Sequence, residues 1–286
     1  MKVSFQLETP FLYKYCDTRG IDILQSLLLK VTPPIEFNDP FEFMPKLEFR
    51  IDKGSLAKRL SSTSLLKTIW RDFPVETDFE SFRETYLQEL NRPKSPHVRN
   101  TIKALQNAAA QARDGIVSFI SSKFALACYS EIPDSFLMWS HYTKGHQGIV
   151  VCFNLKNRFF AKGENLMPVV YRSERMNASY DHSGLKFLEP NIVLLRTKSP
   201  DWSYEKEWRQ LFSIRKCKKL RSENGAICYF QSIPPDAISS VILGVRCKPD
   251  TESAVHELLR TKLLKHVKLS RAVLHEREFR LRIVKA

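Results

Sequence analysis

Apolar residues follow two different spacings in the two halves of the chain. Short apolar and aromatic runs, typical of β-strands, lie at 11–16 and recur after Gly115. Between about 55 and 113, leucine and alanine recur at helical spacing among lysine, glutamate and glutamine, with breaks at Pro74 and at 91–96. Helices are therefore gathered in the first half and strands in the second, which is the order of an α+β fold.

The same pattern predicts the individual elements. It predicts strands at 11–16, 124–129, 148–153, 169–171, 208–214, 226–230, 240–243 and 278–284. It predicts helices at 22–29, 134–143 and 252–264, the second of them with Asp134 as its N-cap. Turn-forming residues at 37–42 predict an ordered loop with aromatic anchors. We interpret the helical segment at about 55–113 as an insertion in a single domain of 1–286.

The net charge indicates a class of partner. The chain has 45 lysines and arginines against 31 aspartates and glutamates, a formal net charge of +14. Such an excess attracts polyanions, because lysine and arginine bind phosphate and release its counterions. RNA or DNA is therefore an expected partner. Composition leaves open that the excess only aids solubility or neutralises an acidic protein.

The distribution of apolar residues also bears on location. No apolar run approaches the roughly 20 residues that cross a bilayer. Charges at Lys2 and Glu8 flank and interrupt what would have to be the apolar core of a signal peptide. We expect a cytoplasmic protein with no membrane partner.

Common cofactor and metal motifs are missing from the sequence. The nine glycines form neither the dinucleotide-binding Gly-x-Gly-x-x-Gly pattern nor a Walker phosphate loop, and there is no Gly-x-Ser-x-Gly nucleophile elbow. The six cysteines contain no Cys-x-x-Cys pair, so we expect reduced thiols. His141 and His146 are five residues apart, a spacing that does not place two imidazoles on one helical face. No metal site is expected.

Two segments, 137–148 and 201–209, are dense in aromatic and polar residues. Trp139 and Trp208 are expected in the core, because large rings dominate burial. If the second segment is a strand, Glu205 and Glu207 share one of its faces, since side chains alternate with period two. Two carboxylates presented together suit catalysis. A surface ion pair with Arg209 is the alternative interpretation of these glutamates.

Five motifs carry a resemblance to a known family. They lie at 12–15, 37–42 (Phe-Asn-Asp-Pro-Phe-Glu), 128–130, 138–148 (which begins Met-Trp-Ser-His-Tyr) and 202–209 (which contains Tyr-Glu-Lys-Glu-Trp-Arg). Together they resemble the signature of a bacterial family known only as a domain of unknown function. The resemblance covers most of the chain outside the helical insertion. The order of elements in turn resembles the ADP-ribosyltransferase fold, which implies a split antiparallel β-sheet core around an NAD cleft.

The resemblance implies roles for particular residues. Tyr142 matches the tyrosine that stacks on nicotinamide in diphtheria-toxin-like and poly-ADP-ribose-polymerase-like enzymes, and Glu207 matches their catalytic glutamate. Lys14 stands where those enzymes have histidine and where arginine-type toxins have arginine, so the contact to the nicotinamide ribose falls to Lys14 or Tyr15. The pair Glu205 and Glu207 also resembles the paired glutamates of arginine-type transferases, which leaves the acceptor open. The residues implied to bind NAD are Tyr13, Tyr15, Ser130, Trp139, His141, Glu205 and Arg209.

The function that the resemblance implies is transfer of ADP-ribose from NAD, used as a substrate, to a macromolecule. The net charge favours RNA or DNA as the acceptor. We expect the basic run that follows the catalytic strand to lie at the cleft mouth and bind this acceptor through Arg215, Lys216, Lys218 and Lys219. Because such an activity would harm its own cell, the resemblance implies a regulated toxin or antiviral defence effector with a neutralising antitoxin partner. A nucleic-acid-binding module without catalysis and a metal-dependent hydrolase are the alternatives.

Overall fold

The computed structural model describes residues 10–49, 53–72, 78–92, 95–161, 166–181, 184–187, 191–222 and 224–286. Its chain forms two compact units. The first, which we call the sheet unit, comprises Met1–Phe43, Ser118–Glu174 and Leu195–Ala286. The second, the helical unit, comprises Met44–Val117 and Arg175–Leu194. Two predictions lie outside the described residues: that residues 1–8 do not form a signal peptide, and that Pro74 interrupts the helical segment.

The described elements combine helices with a multi-stranded sheet, as an α+β fold requires. The helices are α1 (Ile21–Ser26), α2 (Lys53–Leu60), α3 (Thr63–Asp72), α4 (Phe79–Leu90), α5 (Pro96–Ser121), α6 (Phe136–Tyr142), α7 (Arg158–Ala161), α8 (Asn191–Arg196) and α9 (Pro249–Arg260). The strands of the first half are β1 (Phe11–Cys16), β2 (Leu28–Val31), β3 (Lys46–Phe49), β4 (Phe124–Ser130), β5 (Ile149–Asn154), β6 (Leu166–Pro168), β7 (Val170–Tyr171) and β8 (Asn177–Asp181). The remaining strands are β9 (Gly184–Phe187), β10 (Thr197–Lys198), β11 (Glu207–Ser213), β12 (Lys218–Arg221), β13 (Ile227–Ser232), β14 (Ile238–Leu243), β15 (Lys268–Leu274) and β16 (Leu281–Lys285).

The sheet unit is organised around an eight-stranded sheet with the order β16-β15-β14-β5-β1-β4-β11-β6. Strand β1 pairs with β5 along its whole length, from Phe11 opposite Asn154 to Cys16 opposite Ile149. On its other side, β1 pairs with β4 at a single position, Tyr13 opposite Ser130. Strand β4 then pairs with β11 over all seven of its residues. Strands β1 and β4 therefore pair over a shorter length than β1 with β5 or β4 with β11 in the same sheet.

Both faces of this sheet are covered by apolar side chains. One face packs a large core that includes Leu12, Val151 and Val255 of α9. On the other face, Tyr15 and Val150 pack against Trp139 of α6 in a smaller core. Neighbouring residues of β5 thus belong to different cores, because side chains alternate across a strand. The predicted burial of Trp139 and Trp208 is confirmed, with exposed fractions of 0% and 5%.

The helical unit holds α2, α3, α4 and most of α5. These helices occupy the segment in which the sequence predicts a helical insertion. The unit also has a three-stranded sheet of β3, β8 and β9, in which β3 runs parallel to β8. Residues 175–194 belong to this unit although the sequence pattern did not assign them to the insertion. The expectation of one domain with an insertion stays a prediction.

Several predicted element bounds are wrong for local reasons. The helix expected at 22–29 ends at Ser26, because Leu27 adopts a left-handed conformation (φ 53°) and caps the helix through its backbone N–H. The next residues form β2, which pairs with β13. The N-cap of α6 is Ser135, whose hydroxyl accepts a hydrogen bond from the Met138 N–H, and not Asp134.

Helix α6 is joined to β5 by a loop that approaches β1 closely. A Cβ atom on Gly148 would lie 2.0 Å from the carbonyl oxygen of Cys16. Only glycine fits at this position without backbone movement. The close approach holds the end of α6 near the end of β1, where the candidate site lies.

Candidate functional site

A cleft with a volume of about 170 Å³ lies beside the short pairing of β1 and β4. Its lining residues come from β1, the loop after β2, β4, α6, β10 and the start of β11. They are Tyr13, Lys14, Tyr15, Phe37, Asn38, Cys128, Tyr129, Met138, Tyr142, Lys198, Glu205 and Glu207. The structure thus brings together Lys14, Tyr142 and Glu207, the three residues to which the family resemblance assigns catalysis.

The two glutamates reach the cleft from different local structures. Glu205 ends the 3-10 helix Pro200–Glu205, and Lys206 then takes a left-handed conformation (φ 42°) before β11 begins at Glu207. The prediction that Glu205 and Glu207 share a face of one strand is therefore wrong, since the left-handed residue breaks the period of two. The carboxylates nevertheless meet, because both turn towards the same lysine.

That lysine is Lys198, the last residue of the short strand β10. Its ammonium donates to Glu205 Oε2 at 2.6 Å and to Glu207 Oε2 at 3.2 Å. It also lies 3.2 Å from Glu42 Oε1 and 4.6 Å from the ring centroid of Trp202. Lys198 is 7% exposed, so one buried cation joins three carboxylates.

Arg209 is the second cation of this network and is fully buried. Its guanidinium donates to Glu207 Oε1 at 2.8 Å, Glu207 Oε2 at 3.0 Å and Glu42 Oε1 at 2.7 Å. A further N–H donates to the carbonyl oxygen of Leu195 at 2.9 Å. The sequence assigned Arg209 either to NAD binding or to a surface ion pair with the glutamates. The ion pair with Glu207 is present but buried, so its expected place at the surface is wrong. The enclosed guanidinium is not among the cleft-lining residues, and its bonds hold Glu207 and Glu42.

These contacts decide the charge of the network. Burial by itself raises the pKa of Glu207, but the charges of Arg209 and Lys198 outweigh it and lower the pKa to about 2. The pKa of Glu42 is raised, since burial there outweighs the same two cations. Burial opposes the charged form of Lys198, yet Glu207 and Glu42 keep its pKa above the ordinary value. Glu207 is therefore a carboxylate held ionised by two buried cations.

Tyr142 is the last residue of α6, and its hydroxyl binds the other glutamate. It donates to Glu205 Oε1 at 2.5 Å. Burial and the charge of Glu205 raise the pKa of Tyr142, so the hydroxyl keeps its proton and acts as a donor. The neighbouring His141 is not among the cleft-lining residues. Its Nδ1 lies 3.2 Å from the hydroxyl of Tyr204.

The wall formed by β1 contains Tyr13, Lys14 and Tyr15. The Lys14 ammonium donates to the carbonyl oxygen of Cys128 at 3.1 Å and lies 5.8 Å from the ring centroid of Tyr129. The Tyr15 hydroxyl donates to the carbonyl oxygen of Ile132 at 2.9 Å. Burial raises the pKa of Tyr13 to about 12. This wall is aromatic, with Lys14 as its cation.

Two other predicted ligand-binding residues support the cleft from behind. The Ser130 hydroxyl is buried and donates to the carbonyl oxygen of Glu205 at 2.6 Å. Trp139 is fully buried, and its indole N–H donates to the carbonyl oxygen of Pro133 at 2.8 Å. Neither side chain is among the cleft-lining residues, so they position Glu205 and α6 and do not reach a ligand directly.

The basic run at 215–219, which we expected to bind the acceptor at the cleft mouth, follows the end of β11 that is farther from the cleft. Glu207 is opposite Ser130 at the cleft end of β11, whereas Ser213 is opposite Phe124 at the other end. Six residue steps at about 3.3 Å each separate the two ends by roughly 20 Å. The exposed residues Arg215, Lys216, Lys218 and Lys219 follow Ser213. The expectation that they lie at the cleft mouth is therefore wrong.

Sequence reasoning missed the role of Lys198, which stands outside every dense motif. Glu42 belongs to the motif at 37–42, but it was interpreted only as part of a loop. A lysine and a glutamate far from each other in the sequence carry no local signal of an ion pair. Within the described segments, no group of three or more histidine, cysteine, aspartate or glutamate residues could hold a metal ion.

Residues 138–210 match the model of a family described as "Protein of unknown function (DUF2971)". The matched stretch begins in α6 and ends within β11, and it contains Tyr142, Lys198, Glu205 and Glu207. No curated protein and no solved structure matches the chain. In the described part of the chain, no helix is long and apolar enough to cross a membrane.

Proposed function

We propose that this chain is an NAD-dependent ADP-ribosyltransferase with an ADP-ribosyltransferase-like split sheet. The observation that carries the proposal is the convergence of Lys14, Tyr142 and Glu207 on one cleft. They come from β1, α6 and β11, and they are the positions at which the family resemblance expects catalytic residues. The single paired position between β1 and β4 supports the split-sheet interpretation.

The cleft has properties that suit NAD as a substrate. Its volume of about 170 Å³ is smaller than the roughly 300–1,000 Å³ of sites that enclose a whole small molecule, so it suits the nicotinamide end of NAD and not the entire dinucleotide. Its walls offer the rings of Tyr13, Tyr15 and Tyr142 for a flat nicotinamide. Of the charged network, Glu205, Glu207 and Lys198 line its floor, whereas Glu42 and Arg209 lie behind them, so the floor carries one more carboxylate than cation. Such a floor favours positive charge developing on a ribose.

Each residue then has a defined task. Glu207 stabilises the positive charge that develops on the ribose as its bond to nicotinamide breaks. Lys198 and Arg209 keep this carboxylate ionised and fixed in direction. Tyr142 presents its ring to the cleft while its hydroxyl holds Glu205. Lys14 supplies the cation for the negatively charged half of the substrate.

We further propose nucleic acid as the acceptor, because a formal net charge of +14 favours polyanions. An activity of this kind inside a cell would need control. A regulated toxin or antiviral defence effector with a neutralising antitoxin is the biological role that fits such chemistry.

The test is NAD consumption by purified protein in variants of Glu207. Glu207→Asp keeps the negative charge between Lys198 and Arg209 but shortens the side chain by one methylene, which moves the carboxylate away from the cleft. Glu207→Gln removes the charge. We expect both to lower the rate of nicotinamide release by about 100-fold or more, because the lost interaction acts on the transition state. The exposed Glu257→Gln is the matched control and should retain the wild-type rate.

Thermal melts separate a chemical effect from unfolding. Glu207→Gln is expected to be less stable, since it leaves two buried cations short of a partner, whereas Glu207→Asp should stay close to wild type. Near-normal nicotinamide release by a folded Glu207→Asp variant would contradict the catalytic assignment. A wild-type protein that binds nucleic acid but releases no nicotinamide would favour a non-catalytic binding module.

A further inference from the structure

A three-stranded sheet within the sheet unit, with the order β12-β13-β2, carries the basic run that lies away from the cleft. Its central strand β13 pairs antiparallel with β12 on one side and with β2 on the other. The 3-10 turn Ile214–Lys216 leads into β12. We call these three strands and this turn the basic sheet. The chemistry proposed for the cleft gives the basic sheet no task.

The charge of the basic sheet is of one sign. Its elements contain six cations and no carboxylate, and all six cations are exposed. In the described part of the chain, none of them takes part in an ion pair. Along the sequence, Glu223 is the single acidic residue between 208 and 235. The cations are Lys30, Arg215, Lys216, Lys218, Lys219 and Arg221.

The strand register shows which side chains share a face of the basic sheet. Phe230 of β13 lies opposite Lys218 of β12 and opposite Lys30 of β2. Residues directly opposite each other in antiparallel strands project to the same side, with Cβ atoms roughly 4.5–5.5 Å apart. Leu29 and Val31, the neighbours of Lys30, point the other way and are fully buried in the large core. The row of Lys218, Phe230 and Lys30 therefore lies on the solvent face.

This face offers apolar contacts as well as charge. The half-buried ring of Phe230 stands between two exposed lysines. Leu220, two residues after Lys218 and so on the same face, is 40% exposed. Cations alone would attract any polyanion. The ring and Leu220 add the flat apolar contact that a nucleobase uses and an acidic side chain does not.

We propose that the basic sheet binds single-stranded nucleic acid, with a base against Phe230 and Leu220 and phosphates on Lys30 and Lys218. Aromatic contact beside a cationic surface is how proteins hold single strands without reading their sequence. The proposal rests on the proposed function for the identity of the acceptor, and it names a surface that holds this acceptor apart from the cleft. Because Ser213, which precedes the basic turn, lies roughly 20 Å along β11 from Glu207, a bound strand must extend beyond the basic sheet to reach the carboxylate.

The test is binding of a short fluorescent oligonucleotide to the full chain without NAD, as single-stranded RNA, single-stranded DNA and duplex DNA. We expect wild type to prefer a single strand. Lys30→Glu and Lys218→Glu should each weaken binding and lower the slope of log affinity against log salt by about 0.7 unit, the share of one phosphate contact in a single strand. Phe230→Leu keeps an apolar side chain but removes the ring, and should weaken binding about fivefold or more.

Each variant has a matched control outside the basic sheet. Lys262→Glu makes the same charge change at another exposed lysine, and Phe279→Leu removes a fully exposed ring in the same way. Both controls should bind like wild type. Thermal melts of the same samples show whether a loss of binding comes from unfolding.

The outcomes separate this proposal from the transferase proposal. Losses confined to the Lys30, Lys218 and Phe230 variants support the basic sheet as the binding surface. Equal losses in Lys262→Glu, a preference for duplex, or no binding by wild type overturn it. A wild type that binds a single strand but releases no nicotinamide retains the basic sheet and contradicts the transferase. A wild type that releases nicotinamide but binds no strand does the reverse.

Discussion

Replacing Lys198 by methionine tests whether one buried cation holds the site together. The substitution keeps much of the side-chain volume and removes the charge that Glu42, Glu205 and Glu207 share. Removing one partner of a buried ion pair costs about 3–5 kcal/mol, because the remaining charge stays buried without compensation. For a chain of this size we expect the melting temperature to fall by roughly 6–20 °C.

The loss should depend on pH in a defined direction. In wild type the pKa of Glu207 is lowered to about 2. Its contribution to stability is therefore present above the unfolded pKa, near the ordinary value of 4.5, and is lost as the pH falls towards 2. Without Lys198, burial is less opposed and the folded pKa of Glu207 and of Glu42 rises. Protonation of these carboxylates then removes their unpaired negative charge in the variant. The difference in unfolding free energy between wild type and Lys198→Met should therefore be smaller at about pH 4 than at about pH 7.5.

The assay is thermal and urea unfolding of wild type and Lys198→Met at both pH values. Lys218→Met, on the exposed strand β12, is the matched control and should change stability by no more than about 0.5 kcal/mol. Adding Glu205→Gln to Lys198→Met removes the carboxylate that Lys198 binds at 2.6 Å and to which Arg209 makes no bond, and should restore about 1 kcal/mol or more. A loss below about 1 kcal/mol, or a loss of equal size at both pH values, would refute the shared-cation interpretation.

Two further predictions concern the proposed activity. Tyr142→Phe should lower nicotinamide release by about tenfold, because Glu205 loses the hydroxyl donor. Tyr142→Ala should lower the rate further, because it also removes the ring. Equal rates for wild type and Tyr142→Phe at equal stability would show that the hydrogen bond from Tyr142 to Glu205 does not contribute to the reaction. Charge reversal of Lys216, Lys218 and Lys219 should leave release of nicotinamide to water unchanged, since they lie roughly 20 Å along β11 from Glu207, and a lost rate in a folded variant would contradict that placement. The same variant, measured for RNA and DNA affinity against salt, reports through its slope whether the run contacts phosphate.

The sequence alone determined four strands of the central sheet and the identity of several cleft residues. Period-two apolar runs predicted β1, β4, β5 and β11 to within about two residues. This succeeded because alternation and turn residues are local properties of a strand. Motif resemblance pointed to Lys14, Tyr142 and Glu207, which line one cleft. The element bounds failed where a single backbone conformation decided them, as at Leu27 and Lys206.

Only the tertiary structure decided what surrounds those residues. Glu42 is 167 residues from Arg209 in the sequence, and the structure brings it together with Lys198 and Arg209 beside Glu207. Their local sequence could not predict this, because an ion pair depends on distance and burial, which chain folding sets. For the same reason Arg209 looked like a surface charge and is fully enclosed. The basic run after β11 looked close to the catalytic glutamate in sequence, but an extended strand carries its two ends apart.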